Sequence, residues 1–214
     1  MGPLRLPARR LAPACLLIAL SALAHAAPRA ALVMDARTGE VYHAQNADAR
    51  LHPASLTKMM TLYIAFAAAG RGEVSLDSAT TVSAAAAAEP GSRLGLEAGQ
   101  RISLRHLVRA TAVKSANDAA TALAEAISGS EAAFVARMNA TARRLGLTAT
   151  TFRNAHGLTA PGHLSTARDM SRLGRRLLFD HPDRFDLFSR LRADAGVATV
   201  RHTNRRFLNA YPGA

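Results

Sequence analysis

The sequence is poor in cysteine, tryptophan and lysine, and each shortage excludes something. Its one cysteine, Cys15, stands inside an apolar N-terminal stretch. No disulfide can form within the chain, so a packed core must hold the fold together. There is no tryptophan, and no aromatic residue interleaves with a basic run, although the formal net charge is +12. A nucleic-acid module normally shows one or the other feature, so the arginines read as a solvated basic surface. Beyond the N-terminal stretch, no run is long and apolar enough to span a bilayer. The lysine shortage is the most informative. Against 25 arginines there are two lysines, Lys58 and Lys114. Arginine stays charged in a protein, whereas lysine can give up its proton, so a lysine kept in an arginine-rich chain draws attention.

The first 26 residues read as a secretory signal peptide. Arg5, Arg9 and Arg10 form a positive start, Leu11 to Leu23 is apolar, and Ala24-His25-Ala26 is a small-x-small cleavage site. An uncleaved N-terminal anchor is the alternative, disfavoured by the shortness of the apolar run. Cleavage leaves residues 27–214 without cysteine. It removes three positive charges and no negative ones, taking the net charge from +12 to +9. That balance suits anionic lipid headgroups or acidic wall polymers.

Along the mature chain the pattern is α+β. "AALVMDARTGEVYHAQ" (30–45) predicts a β-hairpin with its turn at Thr38-Gly39. "SLTKMMTLYIAFAAAG" predicts a helix buried on most sides and stopped by Gly70 as the C′ residue. The Ala84–Ala88 run is helix-prone and halted by Pro90-Gly91. Further helices are expected at 103–113 with a Ser103 cap and from Asn117 to a stop at Gly129. Two more are expected at 130–146 with a Ser130 cap and at 165–179 with a Ser165 cap. "VATV" (197–200) is a short strand candidate.

Within "HPASLTKMMT", Ser55 and Lys58 stand at i and i+3, which puts hydroxyl and amine on one helix face. A hydroxyl is a poor nucleophile until a base takes its proton, and a lysine in a dry pocket can be that base. A helix N-terminus adds backbone N–H groups for a developing oxyanion. The motif S-x-x-K alone is weak. A second element, Ser115-Ala116-Asn117, lies between an apolar run and a helix. It can set a hydroxyl and an amide opposite Ser55, for proton relay and for holding a substrate carbonyl. The plainer reading is a helix start where Ser and Asn simply cap.

Together S-x-x-K and S-x-N resemble the penicillin-recognising serine hydrolases. "DARTGEVYHAQNADARLHPASLTKMMTLYIAF", "VKSANDAATALAE" and "FRNAHGLTAPGHLSTARDMSRL" resemble the D-alanyl-D-alanine carboxypeptidase family in order and spacing. The resemblance implies a β-lactamase/transpeptidase-like fold filling residues 27–214. It implies removal of the terminal D-Ala from peptidoglycan stem peptides ending in D-Ala-D-Ala, with β-lactams as covalent inhibitors. It makes Ser55 the nucleophile, Lys58 the general base, Ser115 the proton relay and Asn117 the substrate clamp, with no metal or other cofactor.

One motif of the family is missing. There is no K-T-G, and "VRHTNRRFLNAYPG" is similar to the segment that shortly precedes it. The expectation is a C-terminally incomplete domain, lacking sheet strands beside the hairpin and falling short of full carboxypeptidase activity. Three other readings stand beside it: a cross-link endopeptidase with the same serine machinery, a catalytically silent wall-binding protein, and a β-lactamase. The last needs a deacylating glutamate, and Arg153–Thr166 contains none. His156-Gly157 and Gly162-His163 read as loop and helix-start residues. Arg168 and Asp169 read as structural, and Lys114 as either pocket rim or surface.

Overall fold

The computed structural model describes residues 29–211, so the expected signal peptide lies outside the described residues. The chain opens with strands β1 (Ala31–Met34) and β2 (Val41–Gln45), paired antiparallel. Asp35 accepts from the backbone N–H groups of Arg37 and Thr38 through Oδ1, and Gly39 takes a φ of 81° to close the turn. Among the described residues these strands pair only with each other, as the sequence predicts. An apolar cavity of about 510 Å³ lies between β1, Phe185, Phe188 and the long helix Ala167–Asp180.

A single 3-10 turn (Ala54–Leu56) leads into α1 (Thr57–Gly70), the central helix. Met60, Leu62, Ile64, Ala65 and Ala68 on its several faces are all buried, which fits its broad apolar stripe. Each fully buried Leu or Ile here contributes about 1.5–3 kcal/mol of transfer free energy. Gly70 is the last helical residue and not the C′ residue expected. The left-handed position falls to Gly72, with a φ of 72°. Glu73 N–H reaches Ala68 O and Gly72 N–H reaches Ala69 O, so the helix runs two residues further before its Schellman closure.

β3 (Ala79–Thr81) and β4 (Arg101–Ser103) form a second small sheet, with α2 (Ala84–Ala88) between them. α3 (Leu104–Arg109) starts on the Ser103 cap and runs into a π turn (Ala110–Lys114). α4 (Asn117–Ser128) and α5 (Glu131–Arg144) follow, with Ser130 capping the latter. Gly129 and Gly146 end them in left-handed conformation, as their positions predict.

α6 (Ala167–Asp180) begins later than expected. Ser165 exchanges both backbone hydrogen bonds with Leu51 and is held extended. The cap is therefore Thr166, whose hydroxyl accepts from Asp169 N–H at 3.0 Å. α7 (Pro182–Phe185) and a 3-10 turn (Asp186–Ser189) precede β5 (Arg192–Asp194) and β6 (Thr199–Arg201). β6 matches the strand candidate; its partner β5, three residues long, carries no readable pattern. α8 (Arg205–Ala210) is the last described element. α1 is packed by α4, α5 and α6, so the turn into its N-terminus is anchored to the central helix of the core.

Candidate active site

Pro53 is buried and pins the chain before Ser55. Ala54 follows with a φ of 47°, a left-handed conformation that non-glycine residues seldom adopt. This bend lifts Ser55 onto the exposed shoulder of the 3-10 turn. Three residues on, Lys58 is buried and 3% exposed. Its Nζ donates to Asn117 Oδ1 at 2.8 Å and to the carbonyl oxygen of His156 at 2.7 Å. The orientation of the Asn117 amide follows from chemistry. The ammonium form of lysine only donates and the Pro90 carbonyl only accepts, so the amide oxygen faces Lys58, and Asn117 Nδ2 donates to Pro90 O at 2.7 Å on the other side.

Ser115 ends the π turn with φ 59° and ψ 38°. The left-handed residue breaks the helical path between α3 and α4, and π turns of this kind often mark functional sites. Ser115 Oγ is buried and has no hydrogen-bond partner among the described residues. Ser55, Lys58 and Ser115 line one cavity of about 370 Å³, with Thr111, Phe188, His202 and Thr203 on its other walls. Asn117 stands directly behind, bound to Lys58. Burial pushes the Lys58 ammonium down to about 8, against an opposing pull from the Glu89 carboxylate. A lysine so placed is partly neutral near pH 7–8 and can accept a proton from a neighbouring hydroxyl.

Over residues 18–211 the sequence matches the family model of the peptidase S11 group, described as D-alanyl-D-alanine carboxypeptidase. The chain belongs to this family. It is 42% identical over 163 residues to the D-alanyl-D-alanine carboxypeptidase DacC of Escherichia coli, covering 73% of this chain and 41% of that one. With DacF of Bacillus subtilis it shares 40% identity over 158 residues, covering 74% of this chain and 40% of the relative. The chain thus aligns with about 40% of the length of these two relatives. The solved structure of penicillin binding protein 5 from Haemophilus influenzae superposes with a TM-score of 0.80 at 32% identity. That match covers 86% of this chain and 56% of the other. The expected β-lactamase/transpeptidase-like α+β fold is therefore correct.

In this carboxypeptidase-family chain, several residues that the sequence left as loop fillers hold the site. The His156 carbonyl is one of the two acceptors of Lys58. The ring of His163 meets Thr57 Oγ1 at 2.9 Å and accepts from Arg153 N–H at 3.2 Å, tying the 153–163 loop to the first turn of α1. Asp118, unmentioned by any motif, is fully buried and accepts from the backbone N–H groups of Leu94, Gly95 and Leu96. The adjacency of Asp118 to Asn117 was the available signal. Lys114 is half-buried and does not line the cavity; its carbonyl accepts from Ser92 Oγ. Arg168 pairs with Asp48, and Asp169 receives Thr150 Oγ1 and Ala149 N–H, so both are structural as read.

Glu89, Glu131 and His156 bring carboxylate oxygens and a ring nitrogen together. His156 Nε2 lies 3.2 Å from Glu89 Oε1 and 3.6 Å from Glu131 Oε1. The trio does not suit a metal. Leu158 N–H donates to His156 Nδ1 at 3.1 Å, so in the neutral ring Nε2 carries the proton and faces the Glu89 carboxylate.

Proposed function

We propose that this chain carries the acylating half of a serine D-Ala-D-Ala carboxypeptidase, with residues 27–214 as its transpeptidase-like domain. The observation that carries this reading is the buried Lys58, bound to Asn117 and sharing one cavity with Ser55 and Ser115. Ser55 Oγ attacks the carbonyl carbon of the penultimate D-Ala, and Lys58 Nζ takes the hydroxyl proton. Asn117, held by Pro90 and bound to Lys58, steadies the lysine, and in this reading its amide also serves as the clamp for a substrate carbonyl. Collapse of the tetrahedral adduct breaks the peptide bond. The leaving D-Ala amine receives a proton through Ser115, whose hydroxyl has no competing partner among the described residues. Water then attacks the ester on Ser55 and regenerates the hydroxyl. A β-lactam enters the same route as far as the ester, because its strained amide presents the same carbonyl. A signal peptide at residues 1–26 and a basic charge facing anionic wall polymer are consistent with work in the periplasm or cell envelope.

The test is fluorescent-penicillin labelling of the protein made in cells, with the modified peptide mapped by mass spectrometry. The drug on Ser55, and no label on Ser55→Ala, is the expected result. An abundant, folded chain that takes no label overturns the proposal and leaves a silent wall-binding protein.

A further inference from the structure

Both acceptors that hold Lys58 are themselves held by neighbouring residues of one short segment. Pro90 forces the residue before it out of the helical region, so α2 stops at Ala88 and Glu89 takes φ −55° and ψ 128°. That turn sends the two residues to different partners. The Pro90 carbonyl accepts from Asn117 Nδ2 at 2.7 Å. The Glu89 carboxylate lies 3.2 Å from His156 Nε2 and accepts from Thr121 Oγ1 at 3.0 Å. Behind Pro90, Gly91 leaves no slack, since a Cβ there would come within 3.1 Å of Asn117 Nδ2.

We propose that Glu89-Pro90 is the positioning element of the site, fixing Asn117 through the Pro90 carbonyl and His156 through the Glu89 carboxylate, and so both acceptors of Lys58. Glu89 is a positioning residue here, not a catalytic one. Its second role is electrostatic. Glu89 is the carboxylate that opposes the effect of burial on Lys58. The groups facing Glu89 are His156, Thr121 and Lys58, with the carboxylates of Glu131, Asp118 and Glu125 farther round it. His156 is neutral near pH 7, because burial and the Lys58 charge push its ring down to about 4. Glu89 is thus the negative charge that acts on the lysine, and it holds Lys58 protonated to a higher pH than burial alone allows.

This inference rests on Lys58 being the base of the proposed reaction, but it has a readout of its own. The chain has two lysines, so lysine labelled with carbon-13 at Cε gives two resonances, and Lys114→Arg assigns them. In the wild type the Lys58 signal titrates near about 8. In Glu89→Gln its midpoint falls by about half a unit to one unit, while the Lys114 signal stays put. A folded Glu89→Gln with the wild-type midpoint overturns the inference. Where Glu89→Gln does not fold, Glu89→Asp decides: the shortened side chain withdraws its charge, and the midpoint falls by less or the inference fails. Penicillin labelling in parallel separates the two ideas. An unmoved midpoint with Ser55 labelled removes the positioning role alone. A lowered midpoint in a chain that never takes the drug removes the carboxypeptidase reading alone.

Discussion

Gly157 lies directly against Ala54: a Cβ on Gly157 would overlap the Ala54 carbonyl, and Gly157 itself has a φ of 94°. The residue that sets the bend before Ser55 is therefore buttressed by the backbone of a loop about a hundred positions away. The same loop supplies the His156 carbonyl to Lys58. Gly157→Ala must push the loop away from the serine turn and take a conformation that alanine resists. The expected cost is about 2–4 kcal/mol of stability, with Ser55 acylation slowed by at least about tenfold because the hydroxyl and its base separate. Urea denaturation and the rate of penicillin labelling check this. Wild-type values in both would mean that the contact has no bearing on the site.

Lys58 gives the site a pH signature. Only the neutral amine can accept the Ser55 proton, so acylation rises with pH until the lysine has titrated, near about 8. Lys58→Arg keeps the charge and loses the titration, and should slow acylation by about 10²–10⁴-fold at every pH. Labelling rates across pH 6–10 on both proteins are the measurement. A rate independent of pH in the wild type would remove Lys58 from the role of base.

Asn117 bridges Lys58 and Pro90 with its two amide ends. Asn117→Asp keeps the shape and removes the donor toward Pro90, leaving two acceptors face to face. It also sets a carboxylate on Lys58, which favours the ammonium form. Acylation at pH 7 should fall by about tenfold or more, with its pH midpoint displaced upward by about one unit. A downward displacement would contradict the assigned contact.

Much of this was legible in the residues. Ser55 and Lys58 line one cavity with Ser115, in keeping with the i, i+3 spacing, although Ser55 sits in the 3-10 turn before the helix, and Asn117 joins them through Lys58. Helix caps at Ser103 and Ser130 and stops at Gly129 and Gly146 follow from local chemistry. Other features depend on distant contacts and left no local trace. Ser165 could not be told from Thr166 as the cap of α6, because the bond to Leu51 decides it. Glu89 and Glu131, 42 positions apart, meet only through the ring of His156. The polar positions of a helix end or loop look alike until the fold says which of them is buried.

Two buried histidines predict how the fold responds to acid. Burial pushes His156 and His163 each down to about 4, with neighbouring cations adding to the effect. In the unfolded chain each titrates near its ordinary value of about 6.5. Between these two pH values the unfolded state binds more protons than the folded one, so stability rises with pH there. The contribution is complete above about pH 6.5 and is lost as the pH falls through about 4. With solvent screening discounted, each ring contributes on the order of 1–2 kcal/mol. Neither ring can gain a proton without breaking something, since His163 Nδ1 accepts from Arg153 N–H and His156 Nδ1 from Leu158 N–H. Urea unfolding at pH 7.5, 6, 5 and 4 should show the decline, and His163→Gln should flatten part of it. If the variant declines as steeply as the wild type, the acid response belongs to carboxylates elsewhere in the chain.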